Sequence, residues 1–448
     1  MDKYTKSMTE GSEFRIIIGF TLPLLLGNLF QQFYNIVDSV IVGQYLGKNA
    51  LAAVGATGSM TFLFYTLCLG LGAGTGILIS QHFGAGNDQT VKKLIANSAY
   101  VILFFGIILT VVGITLAPVM LHLLETPDTI FGDAVGYMRI ACAGTVAVAA
   151  YNWINSVMRA LGNSTVPLIF LIVASVLNVG LDLLFVIVFG MGVWGAALAT
   201  ILAQAVSAVS CIIFAFVKFP QFRIGRENAR FDKKIALNCI SKGVPIALQN
   251  AFISVSMIYL QRTANLFGDT VIASYATTMR VEQLIQQPFI SLSTAVSTFT
   301  GQNIGAGRID RCIRGLRRSM AAMAVFSVAM LGVFMLISEQ IVSVFVSDSE
   351  VISIGGTALK LSACFYLFLG TIHTTRGLLN GAGDVGYAMI NGIVEVIGRI
   401  GFATILSMIP AIGCWAVWAT SGLTWFITGL MSYLRYRSGK WKTHGINA

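Results

Sequence analysis

Twelve apolar runs, each long enough to cross a bilayer, follow one another with little interruption along these 448 residues. They fall at approximately 15–45, 50–83, 94–122, 134–161, 165–190, 193–218, 235–267, 271–304, 315–346, 352–380, 385–409 and 412–436. A helical span needs about 20 apolar residues. None of the runs shows the period-two alternation of a membrane β-strand. The chain is therefore expected to be an all-α polytopic membrane protein. Composition agrees, since 56% of residues are hydrophobic and only 11% charged, against about 25% charged in soluble domains. No polar stretch is long enough for a separate soluble domain. The polar segment before Arg15 lacks a cleavable signal pattern, so the first run is expected to be a retained span.

Basic residues set the orientation. One family of connections carries Lys92, Lys93, Arg159, a cluster from Lys218 to Lys242, and five arginines from Arg308 to Arg318. The termini add Lys3, Lys6, Arg15, Arg435, Arg437, Lys440 and Lys442. The alternate connections hold little beyond Lys48 and Arg262, and carry acids such as Glu125, Asp128, Glu339 and Asp348. The positive-inside rule then puts both termini in the cytoplasm of a multi-pass cell-membrane protein. The net charge of +10 does not point to nucleic acid, because the basic residues sit at helix ends and form no groove-binding motif. The seven cysteines stand singly, as packing residues would, with no CxxC pair. Four histidines form no metal or nucleophile constellation, and no filter-like loop is visible. Neither an enzyme nor a channel is expected.

The chain also repeats itself. Ser80-Gln81-His82-Phe83-Gly84-Ala85-Gly86 resembles Gly301-Gln302-Asn303-Ile304-Gly305-Ala306-Gly307, which sets position 80 against position 301. The same offset aligns Arg159-Ala160-Leu161-Gly162-Asn163 with Asn380-Gly381-Ala382-Gly383-Asp384, and Gly192-Val193-Trp194 with Gly413-Cys414-Trp415. Two six-span bundles are expected, 1–218 and 243–448, joined by a cytoplasmic linker at 219–242. Six spans per copy make the repeat parallel, with a pseudo-twofold axis along the membrane normal. Such halves can rock about a central cavity, the architecture of a secondary transporter.

Four of the 19 acidic residues fall well inside spans, away from their ends: Asp38, Asp182, Glu282 and Glu395. A charge at the bilayer centre costs about 2.5–3.5 kcal/mol on insertion scales, so such residues face a cavity or a partner. Asp38 in span 1 and Asp182 in span 5 both lie roughly 10–12 Å below the outer surface at 1.5 Å per residue. Thr200 in span 6 reaches a similar depth, and Asn178 is one turn from Asp182. Two carboxyls, an amide and a hydroxyl at one level suit a proton or Na⁺. Span 1 adds a polar face on which Gln31, Tyr34 and Asp38 keep a helical rhythm, with Asn35 beside them. Glu395 and Arg399 are spaced for an i,i+4 ion pair, either a structural bridge or part of gating. Glu282 has no evident partner. Gln31, Tyr34, Asn35, Glu282, Glu395 and Arg399 are the candidates for a substrate cavity. Arg376 is expected to snorkel at the cytoplasmic end of span 10. His373 either packs or titrates.

These residues resemble a known family. Pro23 through Gly47, with its Gln31-Gln32-Phe33-Tyr34-Asn35-Ile36-Val37-Asp38 core, resembles the first helix of multidrug and toxic compound extrusion (MATE) transporters. The Gly-Gln-x-x-Gly-Ala-Gly segment at 301–307 and the Arg-Ala-Leu-Gly-Asn turn at 159–163 resemble that family's signatures. The resemblance implies a V of two six-helix bundles, and efflux of organic, often cationic and amphipathic compounds in exchange for H⁺ or Na⁺. It implies a cation site at Asp38, Asn178, Asp182 and Thr200, with Tyr137 and Asn155 as neighbours and Gln31 and Tyr34 near it. No cofactor beyond the coupling ion is implied, and a monomer in the bilayer is expected. The sequence departs from members with a glutamate on span 7 and an aspartate on span 10, because Ile253 and Leu369 stand at those points. The rival reading is a flippase for lipid-linked saccharides. It would need a dense basic cavity, and the spans offer only Arg280, Arg376 and Arg399.

Overall fold

The computed structural model describes residues 4–445, and the side chains of Lys48, Leu51 and Ser59 lie outside that description, as does Lys3. Among the described residues there are helices and connections but no strand. Spans 1 and 2 run as Glu13–Gly84, interrupted at Gly47. Span 3 is Asp88–Leu123, span 5 Thr165–Val188 and span 6 Gly192–Lys218. Span 7 is Lys233–Phe267, span 9 Ile309–Ser343 and span 11 Val385–Ser407. Span 8 is Asp269–Gly305 and span 12 Ala416–Arg437. Spans 4 and 10 are broken. Asp128–Ala143 meets Thr145–Ala160 at 44°, and Ser349–Ala363 meets Tyr366–Ala382 at 51°. Helices stand at all twelve expected places, ten of them long and apolar enough to cross a membrane when each broken pair counts as one, and apolar side chains such as Val176, Val325 and Leu336 stay exposed, as a lipid-facing surface requires.

The chain forms two compact units. Unit 1 holds the residues up to Ser7 together with Leu22–Ala247, and unit 2 holds Met8–Thr21 and everything from Leu248 onward. The core of unit 1 gathers Leu71, Ile79, Ile95, Trp153, Ile154 and Met158. In unit 2, Leu260, Tyr275, Ala358, Val417 and Trp418 do the same. Five of the seven cysteines are buried singly within these interiors; Cys364 is exposed.

Backbone geometry carries the repeat further than the motifs do. Glycines with positive φ recur in pairs at the repeat offset: Gly47 (82°) with Gly268 (88°), Gly86 (71°) with Gly307 (70°), Gly162 (84°) with Gly383 (87°), and Gly192 (62°) with Gly413 (56°). Side chains strain in that region and glycine does not, so four matched connections explain four matched glycine pairs. The breaks in spans 4 and 10 obey the same offset, at Gly144 and Phe365.

Packing at those breaks is kept by exchange. A Cβ at Gly144 would run into the side chain of Ile201, and a Cβ at Gly422 into the ring of Phe365. The large and small partners have traded places between copies. Gly422→Ile is thus expected to overpack unit 2 by about 1–3 kcal/mol, and Phe365→Gly to leave a cavity costing about 3–5 kcal/mol. The double variant rebuilds the unit 1 pair and is expected to melt above the sum of its parts. Thermal unfolding of the three proteins in detergent measures this, and strictly additive losses would refute the exchange.

The segments leading into spans 1 and 7 do equivalent work. Gln302 accepts the Met8 amide at 2.8 Å, and Arg311 donates to the Gly11 carbonyl at 2.9 Å. Glu13 gathers Arg311, Arg314 and Arg318 at 3.5, 2.9 and 3.0 Å. In unit 1, Asn97 accepts the Asp232 amide at 2.7 Å and donates to the Arg230 carbonyl at 3.3 Å. Asn97 is the repeat counterpart of Arg318. The Gly-Gln-x-x-Gly-Ala-Gly signature is, in physical terms, a tight turn plus a clamp on the entering chain.

Candidate cation site

Span 1 presents Gln31, Tyr34 and Asp38 to the interior of unit 1. Span 5 brings Asp182, fully buried, and Asn178, 2% exposed. The α-helix ends at Asp182 and continues as a π-helical stretch, Leu183–Val188. Such turns widen the helix and often mark functional positions. The carboxyls of Asp38 and Asp182 face each other at hydrogen-bonding range. Asn178 donates to Thr200 at 3.4 Å, and Thr200 donates in turn to the Ala196 carbonyl at 3.1 Å. Tyr34 meets Gln31 and Gln204 and lies in the field of both carboxyls. Tyr137 lies in the same field. Asn155 is buried on span 4 and faces Tyr151.

Gln31, Tyr34, Tyr151, Asn178, Thr200 and Gln204 line one small cavity together with Leu171, Ala174, Ser175 and Ala203. About 20 Å³ of it is open to the centre of a water-sized sphere, roughly what one water needs. That space fits a single small guest and not an organic substrate. None of the lining residues is basic, and Asp38 and Asp182 stand beside the cavity's lining residues, not among them. The acceptors are unusually bare. Asp38 Oδ1, both carboxyl oxygens of Asp182, and the amide oxygens of Asn155, Asn178 and Gln204 are buried and accept no hydrogen bond from the protein. Each unsatisfied buried group costs about 1–3 kcal/mol, and a proton or a small cation relieves several at once.

The residues singled out in the sequence divide into two places. Asp38, Asp182, Asn178, Thr200, Tyr137, Gln31 and Tyr34 come together in unit 1, with Asn155 adjacent. Asn35 is exposed, and its carbonyl accepts Ser39 at 2.9 Å. Glu282, Glu395 and Arg399 lie in unit 2 at 6%, 5% and 0% exposure. Glu395 meets Arg399 at 3.1 Å, the pair expected from their spacing. Its other oxygen holds Arg376 at 3.2 Å. Arg376 therefore does not snorkel; its side chain is 13% exposed. A buried carboxylate with a free oxygen offers it a closer counter-charge than the interface does. Arg399 also donates to Ser256, and Arg376 to Asn391 at 3.0 Å. His373 packs against Phe289. Sequence reasoning missed Gln204 and Tyr151. Gln204 stands one turn after Thr200 on the same helix face, a spacing that flags it.

The MatE family model matches residues 23–184 and 245–405. The chain is 29% identical over 441 residues to YpnP of Bacillus subtilis (strain 168), named as a probable multidrug resistance protein, with 97% of each chain covered. It is 24% identical over 440 residues to a NorM protein of Thermotoga maritima, named in the same terms, covering 96% of this chain and 93% of that one. A solved structure, the outward-facing conformation of a multidrug resistance MATE family transporter of the MOP superfamily, matches with a TM-score of 0.91 at 22% identity. It covers 98% of this chain and 100% of that chain. At that identity the likeness speaks to the fold, an all-α membrane architecture of twelve spans. The two matched segments fall one in each repeat copy and together take in most of the sequence, so the chain belongs to the MatE family of multidrug efflux transporters.

Proposed function

We propose that the chain exports organic compounds, often cationic and amphipathic, in exchange for H⁺ or Na⁺ by alternating access, and that Asp38 and Asp182 bind the coupling ion. The bare acceptor cluster of unit 1 carries this reading. An acceptor set of two carboxyls and three amide oxygens, beside a cavity with no basic lining, suits a hard monovalent cation or a proton. The names of the relatives support the substrate class.

In this mechanism the ion enters from outside and neutralises the facing carboxyls. Asp38 on span 1 and Asp182 on span 5 are then held together without repulsion, and span 1 repacks. Substrate leaves outward as the ion is held, and the ion leaves when the site opens to the cytoplasm. The π-helical stretch after Asp182 gives span 5 the slack to follow. Both termini lie in the cytoplasm in this reading, and the working unit is a monomer.

Proteoliposomes with independently imposed H⁺ and Na⁺ gradients test the proposal. One gradient alone is expected to drive efflux of an organic-cation dye, and Asp38→Asn to abolish that component. Full gradient-driven efflux by Asp38→Asn would sink the assignment.

A further inference from the structure

The charged network of unit 2 occupies the places that the cation site occupies in unit 1. At the repeat offset, Asn178 corresponds to Arg399, the adjacent Asn155 to Arg376, and Asn35, which is exposed outside the site, to Ser256. Ala174, which lines the unit 1 cavity, corresponds to Glu395. The two acids of unit 1 have no acidic counterparts: Asp38 corresponds to Tyr259 and Asp182 to Ala403. Tyr259 instead pairs with the Thr404 hydroxyl at 2.8 Å. Where unit 1 has bare oxygens, those of Asn178 and Gln204 on a small cavity, unit 2 has two guanidinium groups sharing one carboxylate.

We propose that unit 2 retains the repeat copy of the cation site with the chain's own guanidinium groups as its permanent occupants. Arg399 is fully buried, with Ser256 and Glu395 as acceptors for its two terminal nitrogens. Arg376 shares Glu395 from the other side. Asn391 joins Arg376 to span 12 through the Thr428 carbonyl at 3.1 Å and Ser432 at 2.8 Å. Glu282, whose Oε1 accepts no hydrogen bond, lies near Arg399 and Ser362. Glu395 is already claimed by both arginines, so unit 2 has no bare carboxylate pair with which to recruit an ion from solution. The ligand chemistry of this site is a planar guanidinium, with one Glu395 oxygen for each arginine. Reading the set as a counterpart of a cation site rests on the function proposed for unit 1, but binding at the unit 2 site is measured without transport.

Arg399→Ala opens a hole shaped for guanidinium beside a buried carboxylate. Purified full-length Arg399→Ala is expected to bind radiolabelled guanidinium at millimolar concentration and to melt several degrees higher in its presence. Wild type, whose site is filled, is expected to do neither. The double variant Arg399→Ala/Glu395→Ala lacks the carboxylate and is expected to lose the binding. Should Arg399→Ala not fold, Arg376→Ala with the same ligand gives the same reading from a less enclosed position. Equal guanidinium responses in wild type and variant, or an equal response to potassium chloride, would overturn the proposal. Failure of Asp38→Asn to affect transport would leave these binding results standing, so the two ideas fail separately.

Discussion

Asp182→Asn is expected to reduce cation-driven efflux to background while the protein still inserts and melts near or above wild type. Asp182 is fully buried and faces Asp38, and both of its oxygens are without donors. Asparagine keeps the shape but brings two N–H donors into a pocket of acceptors. It can donate to Asp38 and so do the work of the ion. A hydrogen bond to a charged group contributes about 1.5–3 kcal/mol, so apparent cation affinity is expected to fall by about ten- to a hundredfold. Removing one of two facing carboxyls also relieves repulsion, which is why stability should hold. Efflux from proteoliposomes as a function of ion concentration, with melting curves alongside, checks both halves. An unchanged ion dependence would move the coupling site away from this pair.

The frame was legible in the sequence because its signals are local or periodic. Span length, polar connections and one constant offset between motifs specified twelve helices in two copies. The unit 1 site was legible for a related reason. Asp38, Asp182 and Thr200 share a depth that counting residues from span ends reveals, and Asn178 follows from one helical turn. What escaped depended on packing between spans. Arg376 and Glu395 are 19 residues apart on different spans, and no periodicity links them. The π-helical stretch follows Asp182 through Leu183–Val188, a plain apolar run with no signal of its own. The break in span 4 carries a glycine as a hint, while its twin in span 10 carries Phe365. One copy thus conceals what the other suggests.

Glu395→Gln is expected to be among the most destabilising single changes in unit 2, because Glu395 is the shared counter-charge of Arg376 and Arg399. Removing one partner from a buried ion network costs about 3–5 kcal/mol. Glutamine leaves one oxygen acceptor for two guanidinium groups and presents N–H donors to the other. Glu282 is the remaining acid near Arg399, and it stands on span 8, not on the helix that Glu395 braces. Arg399 cannot reach water, at 0% exposure, so the loss has no solvent remedy. Asp38→Asn supplies the contrast. It removes an acid that makes no ion pair among the described residues and stands beside a cavity with no basic lining, and its melting temperature should stay close to wild type. Thermal unfolding of the two variants side by side is expected to show a large downward shift for Glu395→Gln and little for Asp38→Asn. The reverse order would mean that unit 1 holds the fixed charge and unit 2 the exchangeable one.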